Sequence, residues 1–272
     1  MFGKLIKNEF KSNIHTLGMI YVVAAVLIGL MALSYVFKIN WISVVATALL
    51  IATAFIAIVV TFFLIIVNFQ KSLYGNQGYL SFTLPVTSTQ LLASKMLVAF
   101  CWMLISFVVA LGVFIGVYLY ATAMVGDDVK AALQMLRLFS DAIPSKEIVI
   151  KIIVLLIVYL FVWILFLIAG LFFAITFSNT RVMQKMGAFS IVLMFFVVFI
   201  AATVISAILT KNVPVSLIIS PTDISFSTNI DMDVETENAL VFGVTGLIFK
   251  IVAGIGLFFG TTALMNSKVN IK

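Results

Sequence analysis

Few side chains in this 272-residue sequence could act on a substrate, and they are scattered along it. The one cysteine, Cys101, lies inside an apolar run, so neither a disulfide framework nor a thiolate metal site can be assembled. His15 is the one histidine, which excludes a His cluster, a zinc site or a Ser-His relay within the chain. A Gly-x-x-x-x-Gly-Lys-Ser/Thr phosphate-binding loop is absent. No catalytic, cofactor-binding or metal-binding residues are therefore expected, and no nucleic-acid partner. Asp231, Asp233, Glu235 and Glu237 alternate with Met232, Val234 and Thr236, so an extended strand would carry the four carboxylates on one face. Their spacing lacks the glycine and the final Glu of an EF-hand. A solvated acidic loop is expected, with an acidic lip for a cationic substrate as the sharper alternative. Lys250 is the one charge inside a long apolar run, and a lysine inside a membrane is costly enough to need a reason.

The elements that must position these residues follow from composition. The chain is 64% hydrophobic and 10% charged, against about a quarter charged in soluble chains. That excludes a soluble globular domain and predicts an all-α polytopic membrane protein, a single transmembrane domain over residues 1–272. Six spans can be placed by length and lack of charge, at about 17–37, 41–67, 92–120, 150–177, 187–210 and 243–265. With the N-terminus inside, Lys4, Lys7, Lys11, Lys71, Lys95, Arg181, Lys185, Lys268 and Lys272 lie on the inner side, and Lys38, Lys130, Arg137, Lys146, Lys151 and Lys211 on the outer. The positive-inside rule then puts both termini in the cytoplasm of a cell membrane. No span so drawn contains an Asp or Glu, and proton- or sodium-driven carriers use carboxylates or broken helices at mid-membrane. Energy is therefore expected from outside the chain.

Residues 1–14 place Phe2, Leu5, Ile6 and Phe10 on one side of a helix and Lys4, Lys7, Asn8 and Lys11 on the other, the pattern of an interfacial amphipathic helix facing anionic headgroups. A cleavable signal peptide is the rival reading, but the apolar run 17–37 is longer than a usual signal core. Between the third and fourth spans, Val129, Ala132, Leu133 and Leu136 form one helical stripe before Pro144, expected as an outer amphipathic helix. Residues 211–249 form an outer loop that ends either in a re-entrant element, 239–249, or in the start of a continuous sixth span. Lys250 then lies at the outer interface in the first case and near mid-depth in the second.

The segment from Asn68 to Lys95 is the longest inner interruption, and it is rich in aromatic and aliphatic residues for a solvated loop. Tyr74, Tyr79, Leu80 and Phe82 surround Gly75 and Gly78, a cluster that fits either an interfacial segment with its rings at headgroup level or a docking knob for a soluble partner. After Pro85, Thr87 and Gln90 have the spacing of a capping box. A helix starting there and running to about 120 would outreach the bilayer and project its first turns into the cytosol.

The stretch LYGNQGYLSFTLPVTSTQLLASK, residues 73–95, resembles the cytoplasmic loop of small bacterial permeases of the type-2 ABC exporter class, in which Leu-Pro-Val leads into Ser/Thr-rich residues and a lysine. The basic amphipathic N-terminus and the six spans are similar to that class as well. The resemblance implies a permease that pairs with a second permease subunit, as homodimer or heterodimer, among membrane lipids. It implies separate cytosolic ATPase subunits, which bind the ATP and Mg that this chain has no site for, and export as the direction. Tyr74, Gly75, Gly78, Tyr79, Leu80 and Phe82 would dock on the ATPase, with Pro85, Thr87 and Gln90 joining the loop to a helical lever and the N-terminal helix as a second contact. The cargo would be a hydrophobic or amphipathic peptide, lipid or antibiotic. Two other functions stay open: a non-transport scaffold or immunity protein that binds a membrane-active peptide, and an energy-independent channel or carrier.

Overall fold

The structure is a computed structural model, and it describes residues 2–37, 40–75, 86–124, 146–180, 183–187, 189–219, 224–227 and 240–267. Long apolar runs become helices because a chain in hydrocarbon must satisfy its backbone N–H and C=O groups internally. The helices are α1 (Phe2–Phe37), α2 (Asn40–Tyr74), α3 (Ser88–Met124), α4 (Lys146–Ser178), α5 (Phe189–Asn212) and α6 (Thr245–Ser267). All six are long and apolar enough to cross a membrane, so the chain is an all-α, multi-pass membrane protein. Their order and places agree with the six expected spans. Serine and threonine hydroxyls within the helices return bonds to their own backbone, as Thr61 does to Ala57 O at 2.7 Å and Thr261 to Leu257 O at 2.7 Å, which lets polar residues sit in an apolar setting.

The chain divides into two compact units, Met1–Met135 and Leu136–Lys272. In the first, α1, α2 and α3 all pack against one another. Phe10, Leu17, Ala24 and Met31 recur every seven residues along the seam of α1, with Leu17, Ala24 and Met31 buried. On α2 the seam is Ala46, Leu50, Ala54 and Ala57, whose three alanines let helices approach closely in lipid. One end of this unit is closed by a cluster of Met31, Ala46, Leu50, Ala54, Ala110 and Val113. Toward the other end lies a second cluster, Leu17, Val98 and Trp102, against which Ile6 and Phe10 pack.

The expected separation between an N-terminal interfacial helix and the first span is not present, since residues 2–37 are one continuous helix. Nothing between Lys11 and Leu17 stops it, neither proline nor a capping pair. Lys4, Lys7 and Lys11 are exposed, while the apolar side rests on α3 through Ile6 and through Phe10, whose ring stacks on Trp102 at 4.6 Å between centroids.

In the second unit α4 packs on α5 and α6, and α5 on α6. A feature absent from the sequence reading is a small antiparallel sheet of β1 (Ser216–Ile219), β2 (Ile224–Ser227) and β3 (Leu240–Gly243), in the order β2-β1-β3. Leu217 pairs with Phe242 across β1 and β3 and packs with Ile152 and Leu155 of α4. The sheet is tied to the start of α6: Thr245 Oγ1 donates to Val213 O at 2.7 Å and accepts from Val215 N at 3.0 Å. Within 240–249 this strand and helix start stand where one of the two readings put a re-entrant element, and α6 runs unbroken through Lys250 as in the other. The acidic run 231–237 and the stripe 129–136 lie outside the described residues.

Candidate functional site

The third helix starts where the capping residues put it. Thr87 Oγ1 accepts from Gln90 N at 3.3 Å, and Thr87 O takes the first helical bond from Leu91 N at 3.0 Å. The Thr87 hydroxyl also bonds that of Thr89 at 2.9 Å; the return bond of a full capping box is not made among the described residues. From this cap α3 continues for 37 residues, roughly 55 Å of helix against about 30 Å of hydrocarbon. Opposite it, α2 ends at Tyr74, where Gly75 N bonds back to Gln70 O at 3.0 Å. A Cβ on Gly75 would lie 2.9 Å from the backbone oxygen of Lys71, so any larger residue forces the helix end to move.

These two helix ends and the start of α1 meet in a polar cluster that the sequence reading missed. Lys95 of α3 forms an ion pair with Glu9 of α1, and its ammonium donates to Ser72 Oγ of α2 at 2.7 Å. The Lys95 side chain is 4% exposed and that of Glu9 25%. One turn deeper, Asn68 of α2 hydrogen-bonds Asn13 of α1. Deeper again, beyond the Phe10–Trp102 stack, a third polar level joins the same three helices. Thr61 gives its proton to Ala57 O, so Ser106 donates to Thr61 at 2.6 Å and Tyr21 to Ser106 at 2.7 Å. Lys95 and Ser106 are eleven residues apart on α3, about 16 Å along the helix axis. Each side chain named in these three levels has a bonded partner, as an apolar surrounding requires.

The sequence reading set Lys95 at the end of the 68–95 segment, in the first turns of the third helix, and did not pair it with Glu9, since neither spacing nor composition pairs residues so far apart. One signal was present: Lys95 sits three and four residues from Leu91, Leu92, Val98 and Ala99, all buried, which puts it on the inward side of α3.

Of the residues expected to dock a partner, Tyr74 and Gly75 are described. The Tyr74 ring is half-buried, edge-on to Phe69 at 6.2 Å. Gly78, Tyr79, Leu80, Phe82 and Pro85 lie outside the described residues. Phe2, Lys4, Lys7 and Lys11 are exposed around the cluster and Leu5 is half-buried, with Lys71 exposed on α2. The rim of this end of the unit is therefore basic and its one described acid, Glu9, is neutralised inside. Lys250 is in the second unit, where its ammonium donates to the Tyr159 hydroxyl at 3.0 Å. Among the described residues no group of three or more His, Cys, Asp or Glu side chains is placed to hold a metal ion.

Comparison with protein-family models, with curated proteins and with solved structures finds no match to this chain.

Proposed function

We propose that this chain is the membrane-spanning permease subunit of an ATP-driven exporter in a bacterial cell membrane. It works beside a second permease subunit and is moved by separate cytosolic ATPase subunits that hold residues 70–86. The likeness of residues 73–95 to the type-2 ABC exporter loop suggests the partner, and the observation that carries the mechanism is the tie at Lys95. Ser72, near the end of α2, accepts a bond from Lys95, near the start of α3, and Lys95 in turn pairs with Glu9 of α1. A pull on the segment between α2 and α3 therefore reaches three helices at once through short bonds, while the length of α3 supplies a rigid lever. The basic rim of Lys4, Lys7, Lys11 and Lys71 suits cytosolic placement of this end and both chain termini with it. An ATPase can drive the permease only by binding its two states unequally, and Tyr74, Tyr79, Leu80 and Phe82 are the contacts through which it would do so. The cargo in this reading is a hydrophobic or amphipathic peptide, lipid or antibiotic.

The test is affinity purification of the tagged chain from detergent-solubilised native membranes, with identification of the proteins retained. A co-purifying protein with a phosphate-binding loop, lost in Tyr79→Asp and Leu80→Asp while membrane insertion is unchanged, is the expected result. Retention of no such subunit by the wild type, or its undiminished retention by both variants, overturns the proposal, and the first outcome favours a scaffold that sequesters a peptide.

A further inference from the structure

Lys250 has no part in that mechanism. Its ammonium bonds the Tyr159 hydroxyl at 3.0 Å and lies 4.9 Å from the centre of the ring, close enough for a cation–π attraction. On either side of this pair α4 and α6 are held together by other contacts. One turn beyond Lys250, Gly254 faces the backbone of Phe166, where an added Cβ would lie 3.9 Å from the Phe166 α-carbon. Toward the sheet, Val244 beside the start of α6 and Ile152 and Leu155 of α4 all pack on Leu217. Lys250 and Tyr159 occupy the level between these two closures.

Two further facts say what this level could hold. Among the described residues no carboxylate is paired with Lys250, and an ammonium has three donors to place. The flank is apolar and open, since Leu156 and Trp163 of α4, three residues before and four after Tyr159 and so on its side of the helix, are exposed. The 23 residues of α6 give roughly 34 Å of helix, slightly more than the hydrocarbon thickness of about 30 Å. Lys250 lies about 8 Å from its start, a depth from which a lysine stem reaches headgroup level.

We propose that Lys250 and Tyr159 form a binding site for the phosphate of an anionic phospholipid, whose acyl chains lie along the exposed Leu156 and Trp163 of α4. The ammonium supplies charge and two donors, and the Tyr159 hydroxyl, already accepting from Lys250, keeps its own proton for a phosphate oxygen. A soluble anion would have to reach the pair across an apolar surface, whereas a bilayer lipid already lies beside it. This site stands apart from the transport reading and does not depend on it.

Native mass spectrometry of the purified full chain in detergent, titrated with phosphatidylglycerol, tests the proposal. The wild type is expected to retain one more lipid than Lys250→Met, with apparent affinity for that lipid on the order of fivefold tighter, as one lysine at a membrane surface contributes. Lys250→Arg, which keeps the charge, is expected to bind as the wild type does, and Tyr159→Phe to fall between. Equal retention by the wild type and Lys250→Met, or loss of the lipid in Lys250→Arg as complete as in Lys250→Met, overturns the site. Displacement of the lipid by excess inorganic phosphate assigns the site to a soluble anion and overturns the proposal as well.

Discussion

Glu9→Gln is expected to harm this protein more than Lys95→Met, and the reason lies in the unequal burial of the two partners. The Lys95 side chain is 4% exposed and Glu9 is 25% exposed. Removing one member of a buried ion pair leaves the other charge stranded, at about 3–5 kcal/mol when burial is complete. Because Glu9 is partly hydrated, and the amide oxygen of a glutamine in its place can still accept a bond, the expected cost of Glu9→Gln is reduced to about 2–3 kcal/mol. In Lys95→Met the remaining carboxylate can turn toward water while a thioether fills the lysine's place, so about 1 kcal/mol is expected. At about 2–4 °C per kcal/mol for a chain of roughly this size, Glu9→Gln should melt about 5–10 °C low and Lys95→Met only a few degrees low. The double variant, with no charge left to strand, should be no worse than Glu9→Gln alone. Cys101, a half-buried single thiol on α3, allows thermal unfolding of this unit in detergent to be followed with a thiol-reactive dye. If Lys95→Met melts below Glu9→Gln, or the double variant loses the sum of the two, then Lys95 is not held by Glu9 as described.

Two other substitutions probe the same unit. Thr87→Ala removes the acceptor of the Gln90 N–H at the start of α3 and should cost about 1 kcal/mol, read as a melting temperature a few degrees lower; an unchanged melting temperature would show that the cap adds nothing. Ser106→Ala leaves the Tyr21 hydroxyl without its acceptor and breaks the chain to Thr61, with an expected loss of about 1–2 kcal/mol, at the upper end for hydrogen bonds within membranes. Ser106→Thr, which keeps a hydroxyl, should recover at least half of that loss in the same melting assay, and failure to do so would mean that shape and not bonding holds the level together.

How far the sequence could be read differs from element to element. The spans were legible because crossing hydrocarbon demands about 20 apolar residues, and a pattern that long cannot be mistaken. The start of α3 was legible because capping is local chemistry among Thr87, Gln90 and Leu91. The sheet was not, since Ser-Leu-Ile-Ile at 216–219 and Leu-Val-Phe-Gly at 240–243 are runs of four, too short to tell a strand from a buried helical turn by periodicity. The polar levels joining α1, α2 and α3 were hidden for a different reason. Glu9 and Lys95 are 86 residues apart, and only the packing of the helices reveals that they share a layer. Lys4, Lys7 and Lys11 are exposed, but a helical wheel does not say whether the opposite side lies on lipid or, as with Phe10 on Trp102, on another helix.

That stack also equips the protein with its own optical gauge. Of the three indoles, Trp41 is 71% and Trp163 37% exposed, whereas Trp102 is 4% exposed beneath Phe10. A bromine-labelled lipid or a small quencher dissolved in the acyl phase meets the first two directly and is screened from the third. The emission that survives such quenching therefore comes chiefly from the junction of α1 and α3. Any event that prises the N-terminal turns away from the third helix will be visible there without attaching a dye.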